Sequence, residues 1–336
     1  MTMLSTASQP KKGRRASMIP MGSTTNVRRG SFPVDQAVNN ASSVELLMER
    51  ENFKLQQIYN LFQYKSIYLY SAEAVKTLRE NERLQARSDD IIVSGYLKSG
   101  TTWTQAIVQL ILYDQMSPIR AWGMDNSDKW SPLHRVRKAV IDSRPSTRLI
   151  KSHVPRDLLP VSILETNCKI IYVYRNVKDV MVSLFYMSKG LWEYQHTSPH
   201  DNFEHFVEKF VTGQIVFGPY FQHLASFWPH RHDANILLIS YESILKDPQA
   251  MIKKLAAFMG KPISSKRVAK IVQASSFEEM KKHDTTQNDD NTWKFLRHGK
   301  SGSWQSHFTP ELLQKVEAWI QSNLEVEELC GFRFDD

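Results

Sequence analysis

The chain has 336 residues, 41% of them hydrophobic and 11% aromatic, enough apolar material for one substantial core. Its two cysteines, Cys168 and Cys330, exclude a disulfide scaffold and fit reduced thiols in a cytoplasmic protein. The net charge of +8 is uneven: residues 1–34 hold Lys11, Lys12, Arg14, Arg15, Arg28 and Arg29 with no acid, leaving 37 basic against 35 acidic side chains elsewhere. So balanced a body argues against a broad nucleic-acid surface. The absence of eighteen consecutive apolar residues predicts no membrane span, and the polar N-terminal stretch predicts no signal peptide.

In chain order, residues 1–34 read as a disordered basic tail and residues 35–336 as one folded domain. The tail repeats two arginines and a serine at Arg14-Arg15-Ala16-Ser17 and Arg28-Arg29-Gly30-Ser31, a pattern that suits a basophilic kinase acting on Ser17 or Ser31. Residues 43–86 mix Leu, Glu, Arg and aromatic side chains and are predicted mainly helical. Ile91-Ile92-Val93-Ser94 predicts a buried strand, the glycines at 95 and 100 break it, and an apolar-faced helix runs from Thr102 to Tyr113. Further strands are predicted at 148–151, 168–174 and 235–241, with helices at 202–211, 249–259 and 311–324. Short β-rich runs separated by helices predict an α/β fold: a single P-loop-like domain with a central parallel sheet and helices on both faces. Ligands in such folds bind beyond the carboxyl ends of the strands.

Three clusters fall at those ends. In the first, Gly95 and Gly100 let backbone amides approach a ligand, Ser99, Thr101 and Thr102 add hydroxyls, and Lys98 adds a charge at a helix start. The set suits a phosphate or related oxyanion. It is not the nucleoside-triphosphate loop, in which the lysine follows the glycine. In the second, Lys151-Ser152-His153 leaves a strand and pairs a candidate general base with a cation. In the third, Arg175 ends a strand, Ser183 lies eight residues on, and a basic glycine-rich loop runs from Arg297 to Trp304. Each has a plainer explanation when taken singly: a capped helix turn, a surface histidine, a flexible loop.

Together and in this order, the clusters resemble the cytosolic sulfotransferase family over about residues 85–325. Tyr96-Leu97-Lys98-Ser99-Gly100-Thr101-Thr102-Trp103 is similar to the family's 5′-phosphosulfate loop, and Lys151-Ser152-His153-Val154-Pro155 to its catalytic segment. Arg175-Asn176, Lys178-Asp179-Val180 and Ser183 resemble its 3′-phosphate strand and helix, and Arg297, Gly299, Gly302 and Trp304 its late loop. The resemblance is nearest to the phenol, steroid and alcohol group, with details similar to invertebrate members.

The resemblance implies transfer of a sulfuryl group from 3′-phosphoadenosine 5′-phosphosulfate (PAPS) to a hydroxyl or amine of a small acceptor, with adenosine bisphosphate (PAP) as product and no metal. By it, His153 is the base, while Lys98 and Lys151 act at the transferring group. Ser99, Gly100, Thr101 and Thr102 hold the 5′ side, and Arg175, Ser183, Arg297, His298 and Gly299 the 3′-phosphate. Trp103 and Phe277 flank adenine, with Tyr241 and Ser275 nearby. Four departures stand out. Leu97 replaces a proline, Ser152 a threonine and His298 a frequent lysine, and the family's dimer segment is degenerate at Gln305, Thr309, Pro310 and Gln314. Trp122, Trp130, Phe185, Tyr186, Trp192 and Tyr194 are candidates for an apolar acceptor pocket or for ordinary core. The alternatives are a donor-binding regulatory protein without turnover and a magnesium-dependent ATP-using transferase.

Overall fold

The first apolar runs pair locally instead of coiling. β2 (Leu61–Tyr64) and β3 (Ile67–Leu69) are antiparallel, with Tyr64 opposite Ile67, and β1 (Gln57–Ile58) adds to β2. Only Lys65 and Ser66 connect β2 to β3, and Lys65 takes φ 51°, so the chain reverses before a helix can propagate. The expected helix over 43–86 is therefore corrected among the described residues: it is confined to α1 (Ala72–Asn81), capped where Ser71 Oγ accepts from the Ala74 amide at 3.1 Å. The structure, a computed structural model, describes residues 57–58, 61–113, 130–194, 202–282 and 296–335, all within one compact unit, Glu51–Asp336. The tail with Ser17 and Ser31, and Trp122, lie outside the described residues.

Five strands form one parallel sheet in the order β5 (Trp130–Pro132), β6 (Leu149–Ser152), β4 (Ile91–Ser94), β7 (Lys169–Tyr174), β8 (Ile236–Ser240). β4 and most of β7 are buried, as the unbroken Ile and Val runs require. β5 escapes sequence reading because it is short and ends in Pro132, which only an edge strand tolerates. Ser94 pairs in register with Ser152 and Tyr172, Tyr174 with Ser240, and Pro132 with Lys151. All five carboxyl ends thus open on one edge of the sheet.

Helices cover both faces. On one, α2 (Thr101–Leu112), α6 (Tyr241–Lys246), α7 (Pro248–Phe258) and α8 (Ser265–Ala274) bury Val93, Ile107, Ile111, Ile252, Leu255 and Ile271 in a common core. On the other, Tyr172 stacks on Phe227, ring centroids 4.1 Å apart, near α5 (Tyr220–Ala225). α3 (Val177–Tyr194) follows β7, and α4 (Phe203–Val211), α9 (Phe277–Lys282) and α10 (Pro310–Leu324) complete the shell. β4 is the switch point: the chain adds β5 and β6 on one side of it and β7 and β8 on the other.

Candidate active site

The loop between β4 and α2 is built so that nothing but glycine fits twice. A Cβ on Gly95 would stand 2.4 Å from the Val173 carbonyl oxygen, and one on Gly100 2.7 Å from the Tyr241 ring. Gly100 also takes φ 101°, and Lys98 adopts φ 65°, a strained setting that points to function at this turn. Tyr96 anchors the loop from below: its buried hydroxyl donates to the Gly218 carbonyl at 2.8 Å. Ser99 Oγ is buried without a hydrogen-bond partner among the described residues, and the first amides of α2 have no carbonyl of their own helix to bond. Glycine-spaced backbone, an unpartnered hydroxyl and a helix start thus meet where the residue types led one to expect an oxyanion.

β6 delivers Lys151 and His153 beside it. Lys151 Nζ donates to Thr102 Oγ1 at 3.2 Å, tying the strand end to the start of α2. Burial, with Arg135 and Lys98 close by, pulls the Lys151 ammonium down to about 7. His153 is buried, and its Nδ1 lies 2.7 Å from the Gly95 carbonyl. A carbonyl only accepts, so Nδ1 carries the proton and Nε2 keeps its lone pair. Burial, and next the charge of Lys151, hold this imidazole well below its usual pKa, which leaves it neutral. A further shell fixes its backbone: His223 Nε2 donates to the His153 carbonyl at 3.2 Å, and His223 Nδ1 accepts from Tyr172 at 3.0 Å.

β7 and the late loop make the second basic group. Arg175 is buried and lies over the Tyr241 ring, 4.2 Å from its centroid. It donates to the carbonyls of Lys98, at 3.3 Å, and Lys300, at 2.9 Å, and so links the 95–100 loop to the late loop. Its Nε has no partner among the described residues. Asp179, fully buried on α3, holds the late loop. It accepts from the Gly302 amide at 2.7 Å, the Ser303 hydroxyl at 3.0 Å, the Ser301 hydroxyl at 3.1 Å and the Trp304 amide at 3.2 Å. Glu242 accepts from the Asn176 amide at 3.1 Å alongside. Arg297 lies over Tyr186 at 4.4 Å, and His298 is exposed, its pKa lowered by desolvation and by Arg297.

Most of the expected donor residues are joined by contacts. Trp103 Nε1 donates to the Ser275 carbonyl at 2.7 Å and its ring meets Tyr241 edge-on at 5.4 Å. Phe277 packs so tightly on Gly299 (φ 61°) that a Cβ there would fall 2.2 Å from its ring. Ser183 sits half-buried on α3. The acceptor aromatics fare differently. Phe185 goes to a cluster with Phe203 and Phe206, and Tyr186 goes to His307 and Arg297, because α3 points them toward α4 and the late loop. Trp130 lies in β5, and Trp192 and Tyr194 in the last turn of α3. Among the described residues, the rings that meet His153 are Phe217 and His134, at 5.6 and 5.8 Å. Sequence reasoning missed both, together with His223 and the role of Asp179. Asp179 stood in the Lys178-Asp179-Val180 string without a role, and for Phe217 the signal was the Phe217-Gly218-Pro219 turn, where Phe217 takes φ 65°.

A glycine-bounded loop at a sheet's switch point, a neutral imidazole tied to it and a second basic group make up an α/β fold with its polar site at the strand ends. The chain belongs to the sulfotransferase family, whose "Sulfotransferase domain" matches residues 88–328. It is 34% identical over 267 residues to the amine sulfotransferase of Oryctolagus cuniculus, spanning 74% of this chain and 85% of that protein. Among solved structures it is similar to mouse sulfotransferase SULT7A1 complexed with PAP, with a TM-score of 0.66, 27% identity and coverage of 80% and 95% of the two chains. It is also similar to retinol dehydratase in a complex with retinol and PAP, with a TM-score of 0.68, 25% identity and coverage of 80% and 89%. Among the described residues no helix is long and apolar enough to cross a membrane.

Proposed function

We propose that this sulfotransferase uses PAPS as donor and a hydroxyl or amine of a small, largely apolar molecule as acceptor, with His153 as general base. The observation that supports the reading is the bond from His153 Nδ1 to the Gly95 carbonyl, which holds the imidazole beside the 95–100 loop with Nε2 unprotonated. The residues present fit the donor. Ser99 Oγ and Arg175 Nε are buried polar atoms without protein partners among the described residues, and both belong to the basic loops.

When bound, PAPS supplies a sulfuryl group activated by its 5′-phosphate. Lys98, Ser99, Gly100, Thr101 and Thr102 hold that end, while Arg175, Ser183, Arg297, His298 and Gly299 hold the 3′-phosphate. Trp103 and Phe277 flank the base of the nucleotide, near Tyr241 and Ser275. Binding energy from the 3′-phosphate is spent on placing the reacting end. His153 Nε2 takes the acceptor's proton, and Nδ1 keeps its own through the carbonyl bond. Lys151, bonded to Thr102, stabilises charge on the transferred oxygens. The exposed His298 gives the 3′ loop a charge only at lower pH than a lysine would. Residues 35–336 form the transferase domain of a cytoplasmic protein, and residues 1–34 are a tail open to a basophilic kinase at Ser17 or Ser31. Its two unpaired thiols support that location.

The test supplies labelled PAPS with phenols, steroids, other alcohols and amines. Transfer to at least one acceptor is expected. His153→Ala should lose about 10²–10⁴-fold in turnover and still bind PAP. Undiminished turnover in that variant removes His153 from its role. PAP binding without transfer to any acceptor points to the regulatory alternative.

A further inference from the structure

His134 plays no part in the donor cradle, yet it lies against the base. It follows the edge strand β5, whose Pro132 is in register with Lys151, so the chain emerges beside the strand end that carries His153. Its ring centroid is 5.8 Å from that of His153 and 5.2 Å from that of Phe217. The side chain is 6% exposed, and its Nδ1 has no hydrogen-bond partner among the described residues. A buried ring nitrogen that the described residues leave unpaired is costly, and a bound ligand would satisfy it.

The surroundings narrow the choice of partner. Burial holds His134 well below its usual pKa, with Arg135 and Lys151 adding to the effect, so it is a neutral imidazole with one donor and one acceptor nitrogen. Phe217 and Tyr70 flank it edge-on, at 5.2 and 5.9 Å. Tyr70 is 41% exposed, so three rings run from the surface through His134 to the base. Flat apolar walls with one polar point suit an aromatic ligand bearing a hydroxyl. Two imidazoles less than 6 Å apart suit two oxygens on neighbouring carbons, one for each ring.

We propose that His134 is a specificity-determining residue that hydrogen-bonds a second hydroxyl beside the reacting one, so that catechols and related vicinal diols are the favoured acceptors. This rests on the reading of His153 as the base that faces the acceptor. A site built to bond a hydroxyl rejects the analogue that lacks it.

The experiment compares kcat/KM for catechol and phenol with PAPS as donor. The native chain should prefer catechol. His134→Leu should lower that preference about tenfold, the loss of one hydrogen bond of about 1.4 kcal/mol. His134→Asn, whose amide stands near the Nδ1 position, should restore much of it. His134→Gln, which is polar but displaces the amide, should lower it again and serves if the leucine variant fails to fold. PAP affinity reports an intact fold in each. No catechol preference in the native chain, or equal losses on both acceptors without rescue by asparagine, overturns the proposal and leaves sulfuryl transfer standing. Equal losses would mean that His134 only packs or bonds a structural water. Failure to sulfate any member of the wider acceptor panel removes the proposed activity and this inference with it.

Discussion

His153 and Lys151 stand at the same strand end, and burial lowers both pKa values with opposite consequences for charge. The imidazole stays neutral, because its proton-binding range falls well below its usual value. The ammonium, lowered from 10.5 to about 7, is a cation below that pH and loses its charge as pH rises through it. PAP is an anion, so its affinity for the free protein should weaken as pH rises from about 6.5 to 8.5, by up to about tenfold if the lost charge is worth ~1.4 kcal/mol. Lys151→Met should flatten the profile at the weak end. Lys151→Arg should flatten it at the tight end, since guanidinium keeps its charge. Calorimetric titration across that range checks this, and a native slope surviving in Lys151→Met refutes it. His298 titrates below its ordinary 6.5 and therefore acts in a lower window. At this scale the sequence reveals motif residues but not their company. Lys98, Lys151 and His153 stand in recognisable strings, whereas His134 and His223 are lone histidines that only the parallel register and a helix from the other face bring to the base.

Elements matter most where the late loop meets α3. Asp179 is more than 120 residues from its four donors, and one carboxylate holds the turn from Ser301 to Trp304. Bonds to a charged acceptor are worth about 1.5–3 kcal/mol each in such settings, so the loop's place depends on Asp179. Asp179→Ala should cost PAP at least about tenfold in affinity and remove hydrogen-exchange protection from the amides of Gly302 and Trp304, while the 95–100 loop keeps its protection. Asp179→Asn, which retains one acceptor oxygen, should fall between. Unchanged PAP affinity would separate the clamp from donor binding. The central strands were legible because unbroken Ile and Val runs leave little choice, as were the helices flanked by Asn202, Asp247 and Thr309 caps. The β2–β3 hairpin was not. Its short runs contain too few residues to reveal a period, and the reversal depends on Lys65 entering a conformation that its side chain does not announce.

Across the whole molecule the two ends of the sheet divide the work. The carboxyl ends carry the Lys98 turn at φ 65°, the buried Arg175 and the unpartnered Ser99 Oγ and Arg175 Nε. The opposite ends of β4 and β6 carry a fully paired ion bridge: Arg148, 1% exposed, meets Asp90, 0% exposed, through Nε at 2.8 Å and Nη2 at 2.5 Å. Asp90 and Arg148 immediately precede Ile91 and Leu149, which pair in register, so the bridge closes the sheet where the site opens it. Arg148 is further bonded to the Gln85 carbonyl at 2.7 Å and to Asp142 at 3.3 Å. Removing one partner leaves the other charge buried, at about 3–5 kcal/mol. With a melting shift of roughly 2–4 °C per kcal/mol for domains of such size, Asp90→Ala should melt about 10 °C lower. Turnover per folded molecule at 25 °C should remain native, because Asp90 bonds neither the 95–100 loop nor the late loop. Replacing both residues with apolar ones, Asp90→Leu with Arg148→Met, should recover much of the loss, since no charge is then stranded. Thermal melts paired with kcat for the same samples decide the matter. A fall in kcat beyond the unfolded fraction would mean that the bridge sets the alignment of β4 and β6 at the far end, and with it the position of His153 against the Gly95 carbonyl.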